Sequence, residues 1–152
     1  MTYGLLLQLA VASAMVAATV LTHLAGLGGL IALMREHARN FMSQRAKVSQ
    51  AVILLGVAFG LFALHSVEIW AYAMLYRLLG ALPNLEDALY FSTATYTTIG
   101  YGDVVLPHAW RILGAIEGAN GIILLGWSTA FFVSVVGRIR ALEQDWAGRE
   151  QA

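Results

Sequence analysis

The chain contains no cysteine, and Asp, Glu, Lys and Arg together make up only 12% of its 152 residues. Without cysteine, disulfides, thiolate metal sites and thiol nucleophiles are excluded. Nine basic residues balance nine acidic ones, so nothing in the charge points to nucleic acid as a partner. No plausible set of nucleophile, base and orienting group occurs, which argues against an enzyme. What fills the space is apolar: 59% of the residues are hydrophobic and the mean hydropathy is +0.71, too high for a soluble domain of this size.

A hydrocarbon core about 30 Å thick takes roughly 20 apolar helical residues to cross. Three segments qualify. The first, Tyr3 to Met34, holds no Asp, Glu, Lys or Arg; the second, Val48 to Leu79, is interrupted by His65 and Glu68; the third, Trp110 to Val136, contains one carboxylate, Glu117. Leu85 to Tyr96 is apolar but too short to span. The triplet Ala12-Ser13-Ala14 imitates a cleavage site, but no basic side chain precedes the first apolar run, as a signal peptide would require.

Arg35, Arg39, Arg45 and Lys47 crowd the link between the first two spans, and Arg138 and Arg140 follow the third. These ends are expected to be cytoplasmic, with the N-terminus outside and the C-terminus inside. The basic link can attract anionic lipid. The stretch Arg77 to Arg111, with Glu86, Asp87 and Asp103, belongs outside. Trp70, Tyr72, Tyr76 and Trp110 are expected to form an aromatic belt there. Between the second and third spans, a short apolar helix followed by a Gly-rich turn must dip back into the membrane, where non-helical backbone is tolerated only if buried or lining a watery path.

That turn reads TYTTIGYGD from Thr95 to Asp103. Rings of backbone carbonyls can replace the hydration shell of a cation, and glycine at Gly100 and Gly102 allows the backbone angles that aim successive carbonyls at one axis. The Thr98 hydroxyl can add an oxygen at the inner mouth, and Ile99 and Tyr101 are expected to point away and brace the strand. The segment resembles the pore signature of potassium channels, Thr-x-x-Thr-x-Gly-Tyr-Gly followed by Asp, at Thr95, Thr98, Gly100, Tyr101, Gly102 and Asp103. A looser likeness to the two-helix pore runs from Val48 to Arg138, and the first helix is an addition to that plan. The resemblance implies a homotetramer, each subunit giving one strand to a selectivity filter of Thr98, Ile99, Gly100, Tyr101 and Gly102. Potassium held at Thr98, Ile99, Gly100 and Tyr101 is the permeant ion, and no cofactor is implied.

Ala94 stands where some relatives place a Glu that pairs with the Asp after the filter. By analogy with an aromatic residue of the family, Tyr90 becomes the candidate donor to Asp103, and a weak bond there would permit gating at the filter. In the inner helix, Gly121 and Gly126 serve either as a hinge or as close-packing positions. Phe132 is the expected constriction on a cavity stripe with Ser128, Thr129 and Val136. His65, Glu68 and Glu117 are costly in a membrane and are expected to meet behind the pore helix, with Asn120 as a candidate neighbour. As structural glue they would hold the helices together; as a proton sensor they would couple pH to the filter; as a divalent-metal site their spacing is not diagnostic. His23 is expected to be packed or to face a polar neighbour. Ala10, Ala14, Ala17 and Ala18 form a face suited to tight packing on another helix, and Gly26, Gly28 and Gly29 would loosen the helix end.

The expected fold is therefore an all-α membrane protein of three transmembrane helices with a re-entrant pore helix and filter. Residues 1–34 form the extra helix, 35–47 the basic cytoplasmic linker, 48–138 the pore domain and 139–152 a short cytoplasmic tail. Within the pore domain the outer helix covers 48–79, the pore helix 85–97, the filter 98–102 and the inner helix 110–138. No helix carries Arg or Lys at every third position, so no voltage sensor is expected, and fourteen residues after Arg138 are too few for a ligand-binding domain. The compact plan suggests a bacterial inner membrane. A weakly selective cation channel and a non-conducting accessory subunit are the alternatives.

Overall fold

The computed structural model describes the backbone of residues 2–41 and 46–150 and the side chains of residues 4–36 and 50–141. Arg39, Arg45 and Lys47, used above, have side chains outside that set. Four helices follow one another: α1 (Thr2–Phe41), α2 (Ala46–Leu78), α3 (Leu85–Tyr96) and α4 (Arg111–Glu150), with no strand among the described residues. Three are long and apolar enough to cross a membrane, over Gly4–Glu36, Gln50–Leu78 and Arg111–Ala141. The inner helix does not stop at residue 138 as expected. The mixed charges beyond Arg138 include no glycine or proline before Gly148, so nothing breaks the helical pattern and α4 runs on to Glu150.

The short helix α3 has the clearest local cause. Asn84 sits in extended backbone and its side-chain oxygen accepts from the Asp87 amide at 2.7 Å, while its Nδ2 donates to Asp87 Oδ2 at 2.8 Å. An N-cap of this kind satisfies an amide that the first turn leaves free. Glu86 and Asp87 in that turn also suit the positive end of the helix dipole. Ahead of it, the chain reverses at Gly80, whose φ of +62° favours glycine, and the Arg77 guanidinium donates to the Leu82 carbonyl at 2.6 Å.

Helix α1 packs on both α2 and α4. Its inward stripe is Gln8, Ala12, Thr19 and His23, all buried. Those residues recur at the spacing of one helix face. Ala10, Ala14, Ala17 and Ala18 lie on the opposite, exposed side, so the alanine face does not pack within the subunit: the few polar groups, which need partners, set the rotation of the helix. The glycines act differently from expectation too. A Cβ on Gly26 would sit 2.5 Å from Leu64 Cδ1, and a Cβ on Gly60 would collide with Leu30. The two helices thus exchange leucines into each other's glycine notches, the close approach that small residues permit in membranes. Gly28 and Gly29 face open space.

Tyr72 and Tyr76 do not belong to an outer aromatic belt. Both are fully buried in the main core, whereas Trp70 is half-exposed. Each phenol has a buried partner within the subunit, which outweighs the preference of tyrosine for the interface.

Candidate functional site

Helix α3 aims its C-terminal end at the TIGYG segment. Its last turn continues into it through bonds from Thr97 N to Thr93 O (3.1 Å), Thr98 N to Thr95 O (3.0 Å) and Gly100 N to Ala94 O (3.0 Å). Beyond that point, every second residue has positive φ: Thr98 at +61°, Gly100 at +56° and Gly102 at +80°. In an ordinary strand, successive carbonyls point to opposite sides. Alternating the sign of φ turns every second peptide over, so that consecutive carbonyl oxygens can face one way, much as alternating backbone conformations gather N–H groups into an anion nest. The glycines adopt this freely. A β-branched residue in the left-handed region is an outlier, held at a cost of order 1–2 kcal/mol, and such strain gathers at functional positions. Sequence reading credited the glycines with the special backbone and missed Thr98 as a third such position.

The side chains of Ile99 and Tyr101 project outward from the subunit, 54% and 72% exposed. At the far end of the segment Tyr90 donates its phenol proton to Asp103 Oδ2 at 2.8 Å. That bond holds the Tyr90 proton more firmly than in a free tyrosine, raising its pKa.

The inner helix passes behind this loop at very short range. A Cβ on Gly121 would land on the Tyr96 carbonyl, and one on Gly118 would lie 3.3 Å from the Thr95 carbonyl. Gly121 is therefore a close-approach position under the base of the loop, with Gly118 a second that the sequence did not flag. Gly126 meets nothing within 4 Å. Phe132 is half-buried against the small core of Val57, Leu61 and Val135. Ser128 is also buried, so the expected cavity stripe does not hold together. The open stripe of α4 is instead Ile122, Gly126, Thr129, Val133 and Gly137.

His65, Glu68 and Glu117, expected to meet, fall into two groups rather than one. Glu117 accepts from Tyr76 Oη and Ser92 Oγ, each at 2.5 Å, fastening α4 to α2 and α3. Glu68 is joined by His65, as its three-residue spacing allowed: His65 Nδ1 lies 3.1 Å from Glu68 Oε2. Glu117 cannot reach them, because the α4 residue level with His65 is Ser128, eleven residues and about 16 Å of helix rise away. The place expected for Glu117 is taken by His23, whose Nδ1 is 2.9 Å from Glu68 Oε1. Tyr96, the last residue of α3, donates to Glu68 Oε2 and lies 3.0 Å from His65 Nδ1. Asn120 is in neither group; it donates to Thr19 Oγ1 at 2.8 Å and, at 3.3 Å, to Tyr72 Oη. Near the N-terminal end of α1, Gln8 accepts from the Ile112 amide in the first turn of α4 at 3.2 Å.

A short helix between two long spans, a carbonyl-bearing loop after it and an inner helix pressed under that loop define a membrane pore. The chain belongs to the ion channel family whose model, described as an ion channel domain, matches residues 51–138, more than half of its length. It is an integral membrane protein. No match was found among curated proteins or among solved structures. The matched span begins after α1, so the polar stripe of Gln8, Thr19 and His23 lies outside it.

Proposed function

We propose that the protein is a potassium-selective channel that conducts passively as a homotetramer, with one TIGYG strand per subunit around the axis. The alternation of φ at Thr98, Gly100 and Gly102 carries this reading, because it is the backbone state that lets consecutive carbonyls converge on a desolvated cation with no fixed charge nearby. The ion sites are the carbonyl planes of Thr98, Ile99, Gly100 and Tyr101, with the Thr98 hydroxyl at the inner mouth. Thr95, Tyr90 and Asp103 support the loop. One strand is a quarter of a ring, and the exposed Ile99 and Tyr101 give each subunit apolar surface for its neighbours to cover. In this reading α1 starts outside and α4 ends in the cytoplasm of a bacterial inner membrane, with the basic α1–α2 link beside anionic lipid.

The test is cation flux in liposomes holding the purified protein, with potassium compared against sodium. Potassium flux that barium blocks, and that Gly100→Ala abolishes, is the expected result. Equal passage of both ions would overturn selectivity in favour of a relaxed cation filter. Passage of neither, over a range of lipids, would favour an accessory subunit.

A further inference from the structure

Five polar side chains from four helices converge behind the base of the filter, and hydrogen bonds among neutral rings alone do not satisfy them. His23 Nδ1 and His65 Nδ1 both face the Glu68 carboxylate, at 2.9 and 3.1 Å, and the Tyr96 hydroxyl joins them. The opposite ring nitrogens both face Ser128 Oγ, His65 Nε2 at 2.8 Å and His23 Nε2 at 3.5 Å. If both rings are neutral and donate from Nδ1 to Glu68, both Nε2 atoms are acceptors. The single proton of Ser128 then has two acceptors to serve, and one buried ring nitrogen goes without. With every ring neutral in the reverse tautomer, Ser128 can accept from both Nε2 atoms, but the Nδ1 lone pairs then face the carboxylate and only the Tyr96 hydroxyl lies near one of them. One added proton, carried on His65, satisfies the whole set, so what the cluster calls for is a bound proton or another cation.

We propose that this cluster is a binding site for a divalent transition-metal ion of the zinc type, ligated by His23 Nδ1, His65 Nδ1, the Glu68 carboxylate and the Tyr96 phenol oxygen. A metal cation at the centre fills the same need as that proton. It takes the Nδ1 lone pairs and the carboxylate, which fixes both imidazoles as Nε2–H tautomers, and each Nε2–H then donates to Ser128 Oγ. Holding metal-bound histidines by their second nitrogen is the usual outer support of such sites. Spacing agrees with the chemistry. Ligands about 2.0–2.1 Å from a tetrahedral zinc ion lie about 3.3 Å from one another, and one ligand atom from each of His23, His65 and Glu68 already falls within 4.8 Å of the others, so small rotations close the shell. Two imidazoles and two oxygens suit zinc and its neighbours rather than magnesium or calcium. Binding releases the Tyr96 proton when the phenol ligates, which cancels the charge left by one carboxylate against a divalent ion. His65 is the least covered ligand, its side chain 12% exposed, and marks the way in. The site does not depend on which ion the pore conducts, since every ligand belongs to one subunit.

The test is metal content and affinity of the full-length protein in detergent, stripped with chelator and titrated with zinc alone at fixed pH. The expected result is one zinc per chain. His23→Gln should weaken binding at least 100-fold and Ser128→Ala about 10- to 100-fold, the loss typical of an outer support. Less than 0.2 zinc per chain in the wild-type protein at millimolar zinc would overturn the site with no variant needed. So would wild-type affinity in a folded His23→Gln protein. A cluster that responds to pH and never to zinc would identify it as a proton-binding group instead.

Discussion

Asn120 donates to Thr19 Oγ1 across 2.8 Å, an inner-helix amide reaching a hydroxyl on the first helix a hundred and one residues away. The bond lies at the middle of a polar ladder whose other rungs are Gln8 to Ile112 and His23 to Glu68. Helix α1 is thus keyed to α2 and α4 at three heights.

Removing the central rung should therefore loosen α1. A double-mutant cycle of Thr19→Ala and Asn120→Ala, read by unfolding in detergent, should show a coupling of about 0.6 kcal/mol, the average for hydrogen bonds between membrane helices, with about 1.7 as the ceiling. A coupling indistinguishable from zero would mean the two side chains do not meet.

Gly121→Ala places a methyl group on the Tyr96 carbonyl and Gly126→Ala places one in open space. The first should cost about 1–3 kcal/mol, as overpacking does, and should impair flux through the displaced filter base. The second should leave both near wild type. Thermal melting and flux of the two variants check this, and a flux defect confined to Gly126→Ala would instead make that residue the hinge.

Tyr76→Phe leaves Glu117 without one of its two donors in a fully buried position. The expected loss is about 1–3 kcal/mol of stability, seen as a lower melting temperature. Equal stability of the variant would show that the Ser92 bond alone suffices.

Tyr90→Phe removes the donor to Asp103 and should make ion currents decline faster during sustained opening, by about two- to tenfold if an ordinary hydrogen bond is lost. The sign of the pH effect follows from the raised pKa of Tyr90. The phenol donates only while protonated, so the bond persists below its ordinary value and is lost only as pH climbs through the higher, bonded one. Filter stability should hold flat from neutral to mildly alkaline pH in recordings, and a decline beginning below the usual tyrosine range would contradict the bond.

The spans and the short re-entrant helix were legible because uncharged runs of sufficient length have few other uses, and TYTTIGYGD is dense enough to mark the loop. Contacts between helices were not legible in the same way. Glu68 and His65 could be paired from a three-residue spacing, but His23 lies forty-five residues from Glu68, and only the rotation and height of α1 decide whether they meet. The same unknown misled the reading of Glu117, three turns too far toward the outer end, and of the alanine face, whose small residues were a weaker constraint than Gln8, Thr19 and His23. Tyr72 and Tyr76 looked interfacial because nothing local reveals that Asn120 and Glu117 await them inside. Glycines that accept a neighbour's backbone, such as Gly118 and Gly121, resemble those that face open space until the partner is in place.

The paired notches of Gly26 with Leu64 and Gly60 with Leu30 turn α1 and α2 into a single lever. Sliding one helix a turn along the other would drive a leucine out of its notch and against a larger residue, so axial slip is blocked in both directions. An axial force on the first helix, from lipid tension or a neighbouring molecule, is thus handed to α2 where those leucines sit, beside the direct route to α4 through Asn120 and Ile112.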